Sequence, residues 1–534
     1  MTTNEKFNID DVIKEIERVY LHDDREWIIG YSGGKDSTVV VQLVFKMLLN
    51  LPAEKRHKKV HIVSSDTLIE NPMIIDYLKN ASELIGKSAH EQNIPLYTHM
   101  VHPRYDNSFW ANIIGKGLPT PTSIRFRWCT EKLKIQPSNQ FIQDKVAQNG
   151  EVIVLLGVRK SESIARRNRI NKREIDGYLL TPHATLTNTY VYNPIVDLVT
   201  DDVWSVLLSN NGVTPWGGNN NELFALYMGA ESGECPFTIT KDSEGKIETP
   251  SCGNSRFGCW ICTVVNEDKS LTGFIDNGED WLAPLLDFRT WILKIRNNHE
   301  YRQQYRRDGN HYYKKAYLKN LPVNEEGIID ETRIKQGDNG KEFIILNNKD
   351  IDIRELTNKD KLYLELLPLS ESNNHQIDMS KVLEDEKGPY INVLGYGPFN
   401  FKARKTILKE LLEIQRDMDY ELITMEELKA IDKIWDDEAD LSKRSLVDIY
   451  NEVFGEKLPW DEYKKPMFDN IAMSTIYNAC DNANISRNLI NKLLIETEKN
   501  KHQSNKSKLR HSIEKTFNQK YLHKEVIEGI ENDN

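Results

Sequence analysis

The sequence predicts an α/β protein built on a doubly wound parallel sheet, followed by a Cys-rich metal-cluster subdomain and a mainly helical C-terminal region. Three observations carry that expectation: four short apolar runs separated by helix-length stretches in the first 160 residues, an interval rich in Gly, Pro, Asn and Cys from about 214 to 277, and helix-patterned segments beyond 280.

The apolar runs are Trp27–Tyr31, Val60–Ser64, Leu96–Val101 and Val152–Val158, and each has the length of a buried strand. Between the first two, Thr38–Leu49 is apolar on nearly every side. That suits a crossover helix buried against the sheet, although its β-branched residues keep a strand open as an alternative. Ile74, Tyr77, Leu78, Ala81, Leu84 and Ile85 recur at three- and four-residue spacing, the mark of an amphipathic helix covering one sheet face. The 214–277 interval has few periodic segments and needs something other than a large core to hold it. Helical patterns follow at Trp281–Ile295 and Ala403–Ile414. The expected divisions are therefore 1–213, a catalytic domain; 214–279, a Cys-rich subdomain; and 280–534, mainly helical. Residues 499–524 within the last carry eight Lys or Arg against one acidic residue, as a mobile linker or a phosphate-binding arm would.

A chain of 534 residues is too long for one ordinary core. Its 39% hydrophobic and 28% charged residues suit a soluble globular protein, and no apolar run is long enough to cross a bilayer. The start, MTTNEKFNIDDVIKEIERVY, is polar and acidic where a secretory signal is basic and then apolar, so a cytoplasmic protein without a membrane partner is expected. The net charge of -11 argues against coating nucleic acid by bulk electrostatics; any such site is local.

The first strand runs directly into Ser32-Gly33-Gly34-Lys35-Asp36-Ser37 and then a helix. Paired glycines let backbone N–H groups turn toward an anion, and the helix N-terminus adds its dipole. Lys35 brings a full charge. Asp36 would be repelled by polyphosphate unless it faced a cation, which implies Mg2+. The spacing and the Asp after Lys35 exclude a Walker A loop. A glycine turn with chance polar residues is the bland alternative.

Six cysteines in a reducing compartment do not predict disulfides. Cys235, Cys252, Cys259 and Cys262 follow the spacing C-x16-C-x6-C-x2-C, which suits tetrahedral zinc or an iron–sulfur cluster. Cys129 follows Arg127 closely and precedes a helix, conditions that favour a thiolate, although a lone Cys is often a small buried hydrophobe. Cys480, within the helical segment Ile471–Asp481, reads as a packing residue.

The strand–SGGKDS–helix unit resembles the loop of ATP pyrophosphatases, and the first 260 positions resemble the phosphoadenosine-phosphosulfate reductase branch of that group, with its adenine nucleotide α-hydrolase-like fold. Ser65-Asp66-Thr67 with Glu70 and Pro72 is similar to the family's D-T-x-x-E-x-P stretch. Gly157-Val158-Arg159-Lys160-Ser161-Glu162-Ser163 with Arg166 and Arg167 is similar to its G-x-R-x-x-E-S-x-x-R segment, and Arg125–Lys134 to its R-x-C-T-x-x-L-K segment. Asn193-Pro194-Ile195 and Asp201-Asp202-Val203-Trp204 resemble the domain's closing segment.

The resemblance implies that ATP is held by Ser32, Gly33, Gly34, Lys35, Asp36, Ser37, Asp66, Thr67, Gly157, Arg159, Glu162 and Arg166, with Lys35, Asp36, Cys129 and Arg159 catalytic. Arg159, Arg166 and Arg167 could instead form a basic helix face that meets solvent. In the loop, the Cys pattern and overall size, the chain further resembles the DndC family of DNA phosphorothioation sulfurtransferases. That implies cleavage of ATP to AMP and pyrophosphate, activation of a backbone phosphate oxygen of DNA, and its replacement by persulfide sulfur. It also implies a [4Fe-4S] cluster in preference to zinc, a cysteine desulfurase as donor, and other DNA phosphorothioation proteins in one complex. A tRNA thiolation enzyme, a sulfonucleotide reductase and a non-catalytic scaffold of a DNA-modification complex are the alternatives. Beyond residue 330 no functional motif is carried over.

Overall fold

The computed structural model describes residues 8–122, 127–175, 177–230, 257–303, 306, 383–386, 388–438, 440–464, 468, 470–485, 487–500 and 506–517, with short strands at 240–241, 247–248, 313–318, 334–336, 342–347, 351–352 and 374–378. Arg125, Cys235, Cys252 and parts of the basic stretch, 501–505 and 518–524, lie outside the described residues.

The first unit is organised by a six-stranded sheet. In chain order its elements are α1 (Ile9–Leu21), β1 (Glu26–Gly30), α2 (Lys35–Asn50), β2 (Val60–Ser65), α3 (Pro72–Glu91), β3 (Leu96–Val101), α4 (Gln136–Asn149), β4 (Val152–Leu155), α5 (Ile164–Asn171), β5 (Thr181–Pro182), β6 (Thr189–Tyr192), α6 (Thr200–Leu207), α7 (Asn220–Gly229), α8 (Lys269–Asp276) and α9 (Ala283–Ile295). The strand order is β3-β2-β1-β4-β6-β5; the first five are parallel, and β5 runs antiparallel to β6. Chain order reverses between β1 and β4, the switch point where open α/β sheets bind ligands beyond their strand ends.

The segment Thr38–Leu49 is helical, inside α2. Val39, Val40, Val41, Leu43, Val44, Phe45, Met47 and Leu48 are all fully buried, because α2 is enclosed between the sheet, α1 and α6. Burial on every side outweighs the weak helix propensity of three consecutive valines. Gln42, buried with them, is satisfied: its Nε2 donates to Val206 O at 3.2 Å and its Oε1 accepts from Asn220 Nδ2 at 2.8 Å. The helix expected at Ile74–Ile85 is the middle of α3, which opens with Pro72 after the cap Asn71. Two expected strands end early. β4 stops at Leu155, and the following Gly157–Arg159 segment leaves the sheet to cross the start of α2.

Beyond residue 300 the helices are α10 (Phe401–Met418), α11 (Met425–Glu438), α12 (Ser445–Phe454), α13 (Asn470–Asn482), α14 (Arg487–Asn500) and α15 (Ser507–Phe517). Cys480 is buried in α13. The sequence reading did not anticipate two small antiparallel sheets. One joins strands 351–352, 313–318, 388–394 and 383–385; the other joins 334–336, 342–347 and 374–378.

The chain divides into two compact units with exchanged segments: Met1–Trp110, Pro121–Ile292 and Ile414–Glu427 form one, and Ala111–Thr120, Leu293–Glu413 and Leu428–Asn534 the other. In the first, Trp110 Nε1 donates to Leu422 O at 2.9 Å and Tyr420 OH donates to Asp76 Oδ1 at 3.5 Å. In the second, Ile114 O accepts from Arg404 Nε at 2.7 Å and from Trp435 Nε1 at 2.8 Å. Among the described residues no helix is long and apolar enough to cross a membrane.

Candidate nucleotide and thiol site

The loop between β1 and α2 is closed by its own polar atoms. Gly33 has φ +70, a conformation that a side chain would strain, and with Gly34 it carries the backbone into the helix. Ser37 Oγ donates to Gly34 O at 2.9 Å and accepts from Ser32 N at 3.3 Å, while Ser32 Oγ lies 3.2 Å from it. Lys35 N donates to the hydroxyl of Tyr227 at 3.1 Å, and Lys35 Nζ stands 5.5 Å from the centre of that ring. Tyr227, on α7, is a site residue that sequence reasoning missed; no local signal ties it to a loop 192 positions away.

Asp36 is held by two protein cations. Its Oδ1 accepts from Arg159 Nε at 2.7 Å and its Oδ2 from Lys35 Nζ at 3.2 Å. Arg159 is fully buried. Its Nη1 donates to Ser161 Oγ at 2.9 Å, whereas Nη2 is buried without a hydrogen-bond partner among the described residues. A buried guanidinium N–H left unpaired is costly unless an anion meets it, so the cradle fits a phosphate group. The carboxylate of Asp36 is already balanced by Arg159 and Lys35; magnesium would share it with them and is not needed to explain it. Gly157 approaches so closely that a Cβ would lie 2.8 Å from Asp36 C and O and 2.9 Å from Ser37 N. Its role is close packing of the β4 crossing against the start of α2.

Glu162 and Arg166 form an ion pair with each other, and Ser163 caps α5 by accepting from Arg166 N at 3.2 Å. Arg167 is exposed. The three arginines thus divide: Arg159 faces the loop, and the other two belong to the helix that follows.

At the end of β2, Asp66 Oδ1 accepts from Leu68 N at 2.8 Å, and its Oδ2 lies 3.6 Å from Lys79 Nζ. This turn puts Leu68 at φ 65. Thr67, fully buried, donates to Glu70 Oε1 at 3.0 Å and lies 3.7 Å from Cys259 Sγ. Glu70 and Cys259 form an isolated antiparallel bridge, and Trp260 N donates to Ile69 O at 3.2 Å. Cys262 folds back on Cys259, its N donating to Cys259 O at 3.0 Å. Lys134 Nζ lies 2.9 Å from Glu70 Oε1, and Cys129 lies within electrostatic reach of Cys262 and Lys134. The structure therefore brings the expected sulfur carrier and two expected metal ligands into one pocket, which sequence reasoning had treated as separate.

The expectation of a favoured Cys129 thiolate is overturned. Burial, then the neighbouring Cys262, raises its pKa, and the Thr130 and Arg127 groups that pull it down do not compensate. Burial followed by Glu70 pushes Cys259 up to about 12. Burial lowers Lys134, but Glu70 and the sulfurs of Cys259 and Cys129 more than reverse this, so its pKa lies above the ordinary value. Among the described residues no group of three or more His, Cys, Asp or Glu side chains is placed to hold a metal ion. The C-x2-C turn of Cys259 and Cys262 has the compactness that one metal centre requires.

Comparison with known proteins bears on this region. Among solved structures, the phosphoadenylyl-sulfate reductase of Candida auris is 16% identical and covers 42% of this chain and 93% of its own, with a TM-score of 0.25. The U34-tRNA thiolase NcsA of Methanococcus maripaludis, solved with its [4Fe-4S] cluster, is 15% identical over 40% of this chain and 71% of its own, with a TM-score of 0.25. An uncharacterized protein of Methanocaldococcus jannaschii is 28% identical over 160 residues, 30% of this chain. The chain spans 28% of the length of that curated relative. The family model described as the phosphoadenosine phosphosulfate reductase domain matches residues 26–264, the stretch that holds both the phosphate loop and the thiol pocket. The chain thus carries a phosphoadenosine phosphosulfate reductase-like domain.

Proposed function

We propose that the chain is an ATP-dependent sulfurtransferase of DNA phosphorothioate modification, the activity implied by its resemblance to the DndC family. The observation that supports this most is a buried Arg159 guanidinium with an unpaired Nη2, at a loop of phosphate-binding type, in the same unit as a pocket of three thiols. Both lie past the C-terminal ends of adjacent parallel strands, β1 and β2.

In the proposed reaction a non-bridging oxygen of a DNA phosphodiester attacks the α-phosphorus of ATP. The α-phosphorus bond to pyrophosphate breaks, and pyrophosphate leaves with the electron pair. Lys35, Arg159 and the loop amides stabilise that departing charge, and Asp36 keeps both cations in place. Asp36 would hold Mg2+ through a carboxylate oxygen, and the ion would offset phosphate charge. The terminal sulfur of a persulfide on Cys129, delivered by a cysteine desulfurase, then attacks the DNA phosphorus. AMP departs with the activated oxygen. An external thiol cleaves the remaining S–S bond and is oxidised to a mixed disulfide, which a second thiol reduces. A [4Fe-4S] cluster on Cys235, Cys252, Cys259 and Cys262 would add sulfur-binding or electron-storing capacity.

The test is incubation of the purified chain with α-labelled ATP, a DNA duplex and a persulfide donor, followed by nuclease digestion and mass spectrometry. AMP, pyrophosphate and phosphorothioate dinucleotides are expected. Lys35→Ala loses all three; Cys129→Ser loses the phosphorothioate and AMP and keeps pyrophosphate release. Formation of ADP and orthophosphate sinks the reading, and sulfur entering tRNA but not DNA replaces it with tRNA thiolation.

A further inference from the structure

Immediately after the crossing that carries Arg159, the chain presents a basic surface in a protein that is acidic overall. Residues 164–179, IARRNRINKREIDGYL, hold five Arg or Lys against two acids in a chain of net charge -11. One of the acids, Glu174, is engaged by Lys160 Nζ at 2.8 Å. Arg167, Lys172 and Arg173 are exposed and have no carboxylate partner among the described residues. Apolar groups stand among them: Ile164 is 77% exposed, Tyr178 69% and Leu179 52%. Isolated exposed apolar side chains are ordinary; four within sixteen residues, Ile175 being the fourth, interleaved with cations that lack a carboxylate partner among the described residues, are not.

We infer that this surface docks a locally unpaired strand of DNA, with Arg167, Lys172 and Arg173 on its phosphates and Tyr178 stacked on a base. Charge complementarity selects the partner class. A polynucleotide brings one phosphate for each ~3.4 Å of strand, which meets closely spaced cations without matched carboxylates having to be built. The face of an unpaired base covers an exposed aromatic ring with little regard to sequence. ATP itself does not explain the patch, since its phosphates are already provided for at the concave loop and an exposed helix cannot enclose them. The inference rests on the proposed DNA acceptor and adds where the strand lies: along α5 and the turn at Tyr178, so that a phosphodiester enters the crevice from the Arg159 side.

The experiment is fluorescence anisotropy of the full chain with a labelled 20-nucleotide DNA strand, its duplex and an RNA of the same sequence, at several salt concentrations. Binding of ATP without DNA is measured in parallel by equilibrium dialysis. The wild-type chain is expected to bind the single DNA strand most tightly. The double variant Lys172→Glu/Arg173→Glu should bind at least about tenfold more weakly, with the slope of log affinity against log salt shallower by about 1.4, as two lost phosphate contacts require. Tyr178→Ala should weaken binding by roughly 5- to 100-fold at an unchanged slope, with Tyr178→Phe restoring it. ATP binding without DNA should be unaltered in all of them. If the charge-reversed variant also loses ATP binding, Lys172→Gln/Arg173→Gln decides in its place. Wild-type affinity in both the charge and Tyr178→Ala variants, or tighter binding of RNA or duplex than of single-stranded DNA, overturns the inference. Absence of ATP binding by the wild-type chain sinks the ATP reading instead and leaves the DNA-binding result to stand alone.

Discussion

The phosphate loop and the thiol pocket belong to the same unit but are built in opposite ways. The loop takes six consecutive residues, Ser32–Ser37, and closes on itself through Ser32, Gly34 and Ser37; Arg159, Gly157 and Tyr227 then fix it from outside. The pocket has no such local closure. Thr67 and Glu70 follow β2, Cys129 and Lys134 sit around the π-helical turn Thr130–Ile135, and Cys259 and Cys262 arrive from residues further on. A motif closed by near neighbours keeps its geometry when one distant contact is lost. A pocket assembled from three segments depends on each of them.

The largest effect should come from the loop. Lys35→Ala is expected to slow AMP formation by about 10²–10³, the usual consequence of removing one preorganised charge from a phosphoryl-transfer site, while the melting temperature stays near that of the wild type. A large drop in stability would show the loop to be less self-sufficient than its hydrogen bonds indicate.

Next is Glu427, in the returning segment Ile414–Glu427. It forms a reciprocal cap with Thr424: Thr424 N donates to Glu427 Oε2 at 3.1 Å, and Glu427 N donates to Thr424 Oγ1 at 3.2 Å. Burial raises its pKa from 4.5 to about 7. An acid whose pKa is higher in the folded state is favoured protonated, so its contribution is fullest below pH 4.5 and fades as pH rises through about 7. Glu427→Gln should therefore be more stable than the wild type at pH 8, by at most about 3 kcal/mol, with the gain shrinking toward pH 5. Denaturant titrations at the two pH values check this; parallel curves would refute it.

Gly157→Ala should cost about 1–3 kcal/mol, because the new methyl group meets the Asp36 backbone and neither chain can yield freely. It should also raise the KM for ATP. Thr67→Val keeps the volume but removes the donor to Glu70, and about 1 kcal/mol of destabilisation is expected with ATP cleavage intact. An equal loss of ATP cleavage in Thr67→Val would mean that the pocket and the loop do not behave separately.

This contrast also explains what the sequence disclosed. The parallel strands, α2 and the phosphate loop are written in short-range patterns, and Trp27–Tyr31 followed by SGGKDS was legible without the structure. The approach of Cys129 to Cys262 and the hydroxyl of Tyr227 on Lys35 N were not, because both depend on which distant segments the fold brings together. The raised pKa of Cys129 was misjudged for the same reason: Arg127 is a sequence neighbour, whereas burial is a property of the finished fold. The strands between 313 and 394 went unseen amid charged sequence with little alternation.

The exchanged segments have a bearing on biosynthesis. The first unit takes in residues up to Glu427 while Ala111–Thr120 belongs to the second, so a ribosome must emit most of the chain before the indole of Trp110 can meet Leu422. Cutting the gene after the first 300 codons would remove Leu422, Tyr420 and Glu427 from the very unit such a fragment was meant to isolate.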